Sequence, residues 1–176
     1  MKFDDIPQLT QASYSVHVSW AFLEKHLDHE MNAECGAPLI LEPDFQRAHV
    51  WSLAQQTAYV EWVLKGGKSG LELLLNCPEW QKDFRGPYEL VDGLQRLTAV
   101  RKFLKDEVKA FGFTCTEMGG VRNLHHLKAR FIWSVANLEN RSDVLKWYLQ
   151  INSGGVVHTD EELDWVRKLL EKENGK

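Results

Sequence analysis

The chain has 176 residues, a net charge of -4 and 44% apolar residues, which are values typical of one globular domain with its own core. This composition excludes intrinsic disorder as the main state, and no run of about 20 apolar residues indicates a membrane helix. The acidic balance argues against a protein that coats nucleic-acid phosphates, although it leaves room for a local basic cleft.

The cysteines and the start of the chain predict a cytoplasmic protein. Cys35, Cys77 and Cys115 are too few and too widely spaced for a disulfide framework or a zinc site. The segment 1–7 lacks the apolar region of a secretory signal. We therefore expect a cytoplasmic location and no association with a membrane.

Helices and strands alternate loosely along the chain. In chain order we predict a helix after Ser19, a strand at 38–43, a helix from Ser52 to Gly66, strands at 70–76 and 88–92, a helix from Gly93 to about Lys105, strands at 108–116 and 129–138, a helix at 142–151 and a last helix from Thr159. The Ser52 and Thr159 starts each carry a capping-box pattern, Ser/Thr-x-x-Gln/Glu. This order predicts an α+β fold, a small mixed sheet with packed helices.

The most informative segment is a predicted turn from strand to helix at Asp92-Gly93. A helix N-terminus offers unpaired backbone N–H groups and a positive dipole end, and Gly93 allows close approach to them. Gln95 and Arg96 add donors in the first turn, so the segment predicts a phosphate-binding site. Asp92 is suited to cap the helix, hold Mg²⁺ or act as a base. The alternative is an ordinary Asp-Gly turn with a solvated arginine.

Two further segments concentrate polar groups at turns. Residues 42–52 bring two acids together with Arg47, His49 and Trp51 between a strand and a helix; the alternative is a polar loop whose aromatic side chains fold into the core. Residues 149–159 join two helices through Asn152 and a glycine pair; the alternative is a glycine C-cap followed by a threonine N-cap.

The three segments together resemble the N-terminal domain of GmrSD-type restriction systems, a domain described as ParB/sulfiredoxin-like. The resemblance is carried by Pro43-Asp44-Phe45-Gln46-Arg47-x-x-Val50-Trp51, Val91-Asp92-Gly93-x-Gln95-Arg96-Leu97-Thr98 and Ile151-Asn152-x-Gly154-Gly155. It covers residues 38–165 of a single domain at 1–176, and it leaves 1–37 as an N-terminal helical extension.

The resemblance implies an α+β ParB/sulfiredoxin-like fold whose pocket binds or hydrolyses a nucleoside triphosphate, with Mg²⁺. We predict that the residues binding the nucleotide and its phosphates are Gln46, Gly93, Gln95, Arg96, Asn152 and Gly154. We predict that the catalytic residues are Asp44, Arg47, Asp92 and Arg96. Asp92 is also the predicted metal ligand.

The chain departs from the family pattern in three ways. Leu94 stands where the second motif usually has Gln, and His49 stands where the first motif usually has an aromatic residue. Restriction proteins of this type also carry a C-terminal HNH-type nuclease region, which these 176 residues do not contain. We therefore do not expect a self-contained restriction endonuclease, and the HNH-type nuclease activity of such a system would come from a partner protein.

Three functions stay open from the sequence. The first is nucleoside triphosphate hydrolysis or phosphoryl transfer, linked to DNA metabolism or to conflict between phage and host. The second is a module that binds DNA or senses a modified base without turnover, with Trp51 and His49 as stacking residues. The third is a small ParB-like, metal-dependent nuclease that uses neighbouring carboxylates.

Overall fold

A computed structural model of the chain describes residues 10–32, 38–46, 50–80, 87–152 and 160–175. The strands are β1 (Tyr14–Ser19), β2 (Leu39–Ile40), β3 (Glu72–Asn76), β4 (Tyr88–Asp92) and β5 (Arg130–Ala136). The α-helices are α1 (Leu23–Met31), α2 (Leu53–Leu64), α3 (Leu94–Leu104), α4 (Arg141–Asn152) and α5 (Asp160–Asn174). Short 3₁₀ helices span Trp20–Phe22 and Val121–Leu127. The α+β prediction is therefore confirmed.

The strands form one mixed sheet in the order β1-β5-β3-β4-β2. β5 pairs antiparallel with β1 and parallel with β3. β4 pairs antiparallel with β3 and parallel with the short β2. This order places β3 at the centre of the sheet and the end of β4 beside the start of β3, which is where the second motif lies.

The two faces of the sheet carry separate apolar clusters because side chains alternate along each strand. Phe131 and Trp133 of β5 join a core with α1, α2 and α3, whereas Ala136 belongs to a smaller cluster with α4 and α5. β4 alternates likewise, with Leu90 in the larger core and Val91 in the smaller one. The sheet thus has helices packed on both faces.

The prediction for the N-terminal segment is wrong in one respect, because this segment contains a strand. Residues 1–37 are predicted as a helical extension, but Tyr14–Ser19 forms a sheet edge paired with β5 from Tyr14↔Val135 to Ser19↔Arg130. Val18 is buried in the main core, and the Ser19 hydroxyl accepts a hydrogen bond from the Ala21 amide to cap the 3₁₀ turn. The segment is therefore part of the sheet and not only helical.

The capping box predicted for α2 is confirmed. The Ser52 hydroxyl accepts from the Gln55 amide at 3.3 Å, and the Gln55 side chain accepts from the Ser52 amide at 2.9 Å. The cap predicted at Thr159 lies outside the described residues.

The strand predicted at 108–116 is wrong. This segment forms turns with one isolated bridge between Ala110 and Phe113. Phe111 and Gly112 both have positive φ angles, 54° and 83°, which reverse the chain and prevent an extended strand. Within the described parts of the chain, no helix has both the length and the apolar character needed to cross a bilayer.

Candidate functional site

The turn between β4 and α3 is shaped by a β-bulge and a left-handed glycine. Leu75 pairs with Leu90 but Leu74 pairs with Asp92, so Val91 is the extra residue on β4. Such bulges re-aim the following side chains. Gly93 follows with φ 112° and is the N-cap of α3, which has no side-chain cap bond. Asp92 therefore does not cap the helix, and the first-turn amides of α3 lack the usual side-chain acceptor.

Gly93 also lies close to the central strand. A Cβ atom at this position would lie 2.3 Å from Leu73 Cδ2 and 3.3 Å from Arg96 Nη2. The turn therefore depends on glycine both for its backbone angle and for its packing.

Arg96 lies in the first turn of α3, and two acceptors fix its guanidinium. Its Nη2 donates to Asp92 Oδ2 at 2.5 Å and to the Glu72 carbonyl at 2.9 Å. Its Nε is buried and has no hydrogen-bond partner among the described residues. The Arg96 side chain is only 22% exposed. This charge is consequently held in place beside the helix N-terminus, unlike the solvated arginine of the alternative interpretation.

Gln95 connects the first and second motifs. Its side-chain oxygen accepts hydrogen bonds from the Val50 amide at 2.9 Å and from the Trp51 amide at 3.1 Å. The segment before α2 is thereby attached to the first turn of α3, although 44 residues separate Trp51 from Gln95. These two hydrogen bonds bring the end of the first motif next to the second motif.

Trp51 is half-buried and packs at the edge of the main core. Its ring contacts Tyr59 edge-on at 5.6 Å between centroids, and its carbonyl accepts from Gln56 Nε2 at 2.8 Å. These contacts favour a packing role for Trp51, as in the alternative in which aromatic side chains fold into the core. Stacking of DNA or a base on this ring stays a prediction.

Asp44 and Gln46 lie in the turn that follows β2. The Asp44 carboxylate forms an ion pair with Arg141 of α4, and its carbonyl accepts from Trp165 Nε1 of α5 at 3.2 Å. The Gln46 amide donates to the Pro43 carbonyl at 2.9 Å, while its Nε2 is buried without a partner among the described residues. Asp44 is thus engaged by the helices of the smaller cluster, and its catalytic role stays a prediction.

The buried ion pair of Glu89 with Arg141 is a feature that the sequence analysis missed. Glu89 is 5% exposed on β4, and its Oε1 accepts from Arg141 Nη1 at 3.2 Å. Burial raises the pKa of Glu89, and the positive charge of Arg141 opposes that shift. A glutamate inside an otherwise apolar strand signals a buried partner, but sequence patterns do not identify a partner on a distant helix.

Asn152 represents the third motif. Its Nδ2 donates to the Tyr148 carbonyl at 2.7 Å at the end of α4, and the Tyr148 ring contacts Phe45 of the first motif edge-on at 5.2 Å. The third motif therefore adjoins the first through α4. Arg47, His49 and Gly154, which are also predicted site residues, lie outside the described residues.

The described side chains include no group of three or more His, Cys, Asp or Glu residues that could hold a metal ion. Asp92 is the predicted metal ligand, and its carboxylate is paired with Arg96. Magnesium bound together with phosphates usually takes only one or two protein carboxylates. One carboxylate is enough for such an ion, so the structure is compatible with Asp92 as its protein ligand, and this role stays a prediction.

Comparisons with protein-family models, curated proteins and solved structures find no match to the chain. The resemblance to the GmrSD-type domain therefore rests on the three sequence motifs.

Proposed function

We propose that this protein binds a nucleoside triphosphate through its phosphates at the N-terminus of α3, and that it hydrolyses the triphosphate or transfers its terminal phosphoryl group. The observation that carries this proposal is the position of Arg96, fixed by Asp92 and by the Glu72 carbonyl beside the Gly93 turn. A half-buried arginine adjoining a helix N-terminus without a side-chain cap is an arrangement suited to anions.

The groups around this turn supply what phosphoryl transfer requires. The α3 amides and the helix dipole favour phosphate oxygens, and Arg96 offers a planar set of N–H donors that matches phosphate geometry. Asp92 restricts the guanidinium to one orientation. A donor already in position stabilises developing negative charge without reorganisation, which is the main catalytic need in this chemistry.

Asp92 would also hold Mg²⁺ when the phosphates are bound. The ion would neutralise phosphate charge. The motif resemblance supports a role in DNA metabolism or in conflict between phage and host.

Phosphate release from a nucleoside triphosphate with Mg²⁺ tests the proposed activity. We expect the wild-type chain to release phosphate and Arg96→Ala to lower the rate about a hundredfold, as removal of one charge-stabilising donor does in other enzymes. Arg122→Ala is the matched control, because Arg122 is exposed in the 3₁₀ helix Val121–Leu127. Circular dichroism checks that both variants are folded. Equal rates in Arg96→Ala and wild type would rule out this site.

A further inference from the structure

A cavity of about 420 Å³ lies between α4 and the sheet, on the face opposite the main core. Alternate residues of three strands line it, among them Ser15 of β1, Glu72 of β3 and Ser134 of β5, and Trp147 of α4 lines it from the helix side. The volume lies within the range of small-molecule sites, about 300–1,000 Å³.

A serine hydroxyl and a glutamate carboxylate meet in the lining of the cavity. Ser134 Oγ donates to Glu72 Oε1 at 2.6 Å. A carboxylate has about four lone-pair positions, so Glu72 can still accept hydrogen bonds from a ligand. Leu74, Ile132 and the indole of Trp147 add apolar walls, and Thr10, Gln11 and Gln150 add further polar side chains. Such a lining suits a flat ring that carries N–H donors on one edge.

The cavity is next to the proposed phosphate site. The Glu72 carbonyl accepts from Arg96, while the Glu72 side chain lines the cavity. Leu74 also lines the cavity and is the cross-strand partner of Asp92. Cross-strand partners have Cα atoms about 4.5–5.5 Å apart, so the two sites are separated by about one strand.

We propose that this cavity binds the base of the nucleotide whose phosphates lie at Arg96, and that Glu72 selects guanine; this inference rests on the proposed function. Glu72 only accepts hydrogen bonds, and guanine presents two adjacent donors, N1–H and the 2-amino group. The single N–H of uracil is flanked by two carbonyl oxygens, which a carboxylate repels. A site built around an acceptor rejects a base that lacks the matching donors.

Calorimetric titration with GTP, UTP, guanosine and inorganic tripolyphosphate tests this proposal. In the wild type, GTP binds at least tenfold more tightly than UTP and than tripolyphosphate. Glu72→Gln replaces one acceptor oxygen by a donor and weakens GTP binding at least tenfold. The backbone carbonyl that accepts from Arg96 is unchanged in this variant, so tripolyphosphate binding stays within twofold. Glu171→Gln, at an exposed position of α5, is the matched control and binds all four probes as the wild type does.

Ser15→Phe is a second variant that fills the cavity from an exposed position of the edge strand. It weakens GTP and guanosine binding and leaves tripolyphosphate binding intact, without removing the carboxylate.

The probes separate failure of this inference from failure of the proposed function. If tripolyphosphate and GTP bind equally and neither Glu72→Gln nor Ser15→Phe changes GTP binding, the base pocket is refuted while the phosphate site stands. If guanosine binds as tightly as GTP and tripolyphosphate does not bind, the phosphate site is refuted while the base pocket stands. If none of the probes binds to the wild type, both proposals are overturned.

Discussion

Gly93 combines a left-handed backbone with a close approach to the central strand. A Cβ atom there would meet Leu73 Cδ2 at 2.3 Å, and φ is 112°. We expect Gly93→Ala to lower the free energy of unfolding by roughly 2–5 kcal/mol, because a strained backbone costs about 1–2 kcal/mol and overpacking costs about 1–3 kcal/mol. Urea denaturation measures this loss.

Gly112→Ala is the matched control for the packing contribution. Gly112 has φ 83° but no atom within 4 Å of an added Cβ, so this variant experiences the backbone cost alone. Equal losses in the two variants would show that the contact between Gly93 and Leu73 does not matter.

Glu89 makes a pH-dependent contribution to stability. Burial raises its folded-state pKa above the ordinary value of 4.5, so between the two pKa values the unfolded chain binds fewer protons than the folded one. The free energy of unfolding therefore falls as pH rises through this interval. We expect Glu89→Gln to remove this part of the decline, because the amide does not titrate.

Urea denaturation of wild type and Glu89→Gln measures the difference in their free energies of unfolding. The range from about pH 4 to about pH 8 spans ordinary and raised carboxyl pKa values. Parallel stability curves for wild type and Glu89→Gln would contradict a raised pKa at this site.

At the second motif, the local structure could be predicted from the sequence. The contacts of this motif with distant parts of the chain could not. The positions of Gly93, Gln95 and Arg96 at the start of a helix follow from the Asp-Gly turn, whereas their binding of phosphate stays a prediction. The bonds from Gln95 to the segment before α2 join residues 44 and 45 positions apart. Such contacts depend on tertiary packing, which short-range patterns do not encode.

At the scale of elements, β1 is the strand that sequence analysis missed. Val18 is 7% exposed and pairs with Phe131, whereas the neighbouring His17 is exposed and pairs with Ile132. We expect Val18→Asp to lower the free energy of unfolding by more than about 2 kcal/mol, because it buries a charge without a partner. His17→Asp, on the solvent side of the same strand, should change it by less than about 1 kcal/mol. Similar values for both variants would show that β1 is not part of the folded sheet.

The boundaries of α2 and α3 could be predicted because their signals are local. A capping box starts α2, and a glycine N-cap starts α3. The prediction of a strand at 108–116 was wrong. Apolar residues at alternate positions in this segment resemble a strand, whereas the left-handed angles at Phe111 and Gly112 make turns. Apolar alternation alone does not distinguish these two cases.

At the scale of the whole molecule, the α+β class follows from the order of helices and strands, but the sheet order does not. The arrangement β1-β5-β3-β4-β2 places the first strand beside the last. β3 lies between β4 and β5 because it pairs with both of them. At this position Glu72 has a carbonyl bonded to Arg96 and a side chain in the cavity. The proposed phosphate site and the proposed base pocket therefore arise from topology and not from a single motif.

Thermal denaturation with nucleoside triphosphates, with and without Mg²⁺, tests the central proposal most directly, because a ligand that binds the folded state raises the midpoint of unfolding. At about 100 times the dissociation constant, we expect a rise of roughly 5–10 °C for the wild type and for Arg122→Ala. We expect a much smaller rise for Arg96→Ala, which lacks the fixed guanidinium. A wild-type midpoint that no nucleotide raises, or an equal rise in Arg96→Ala, would contradict a phosphate site at the start of α3.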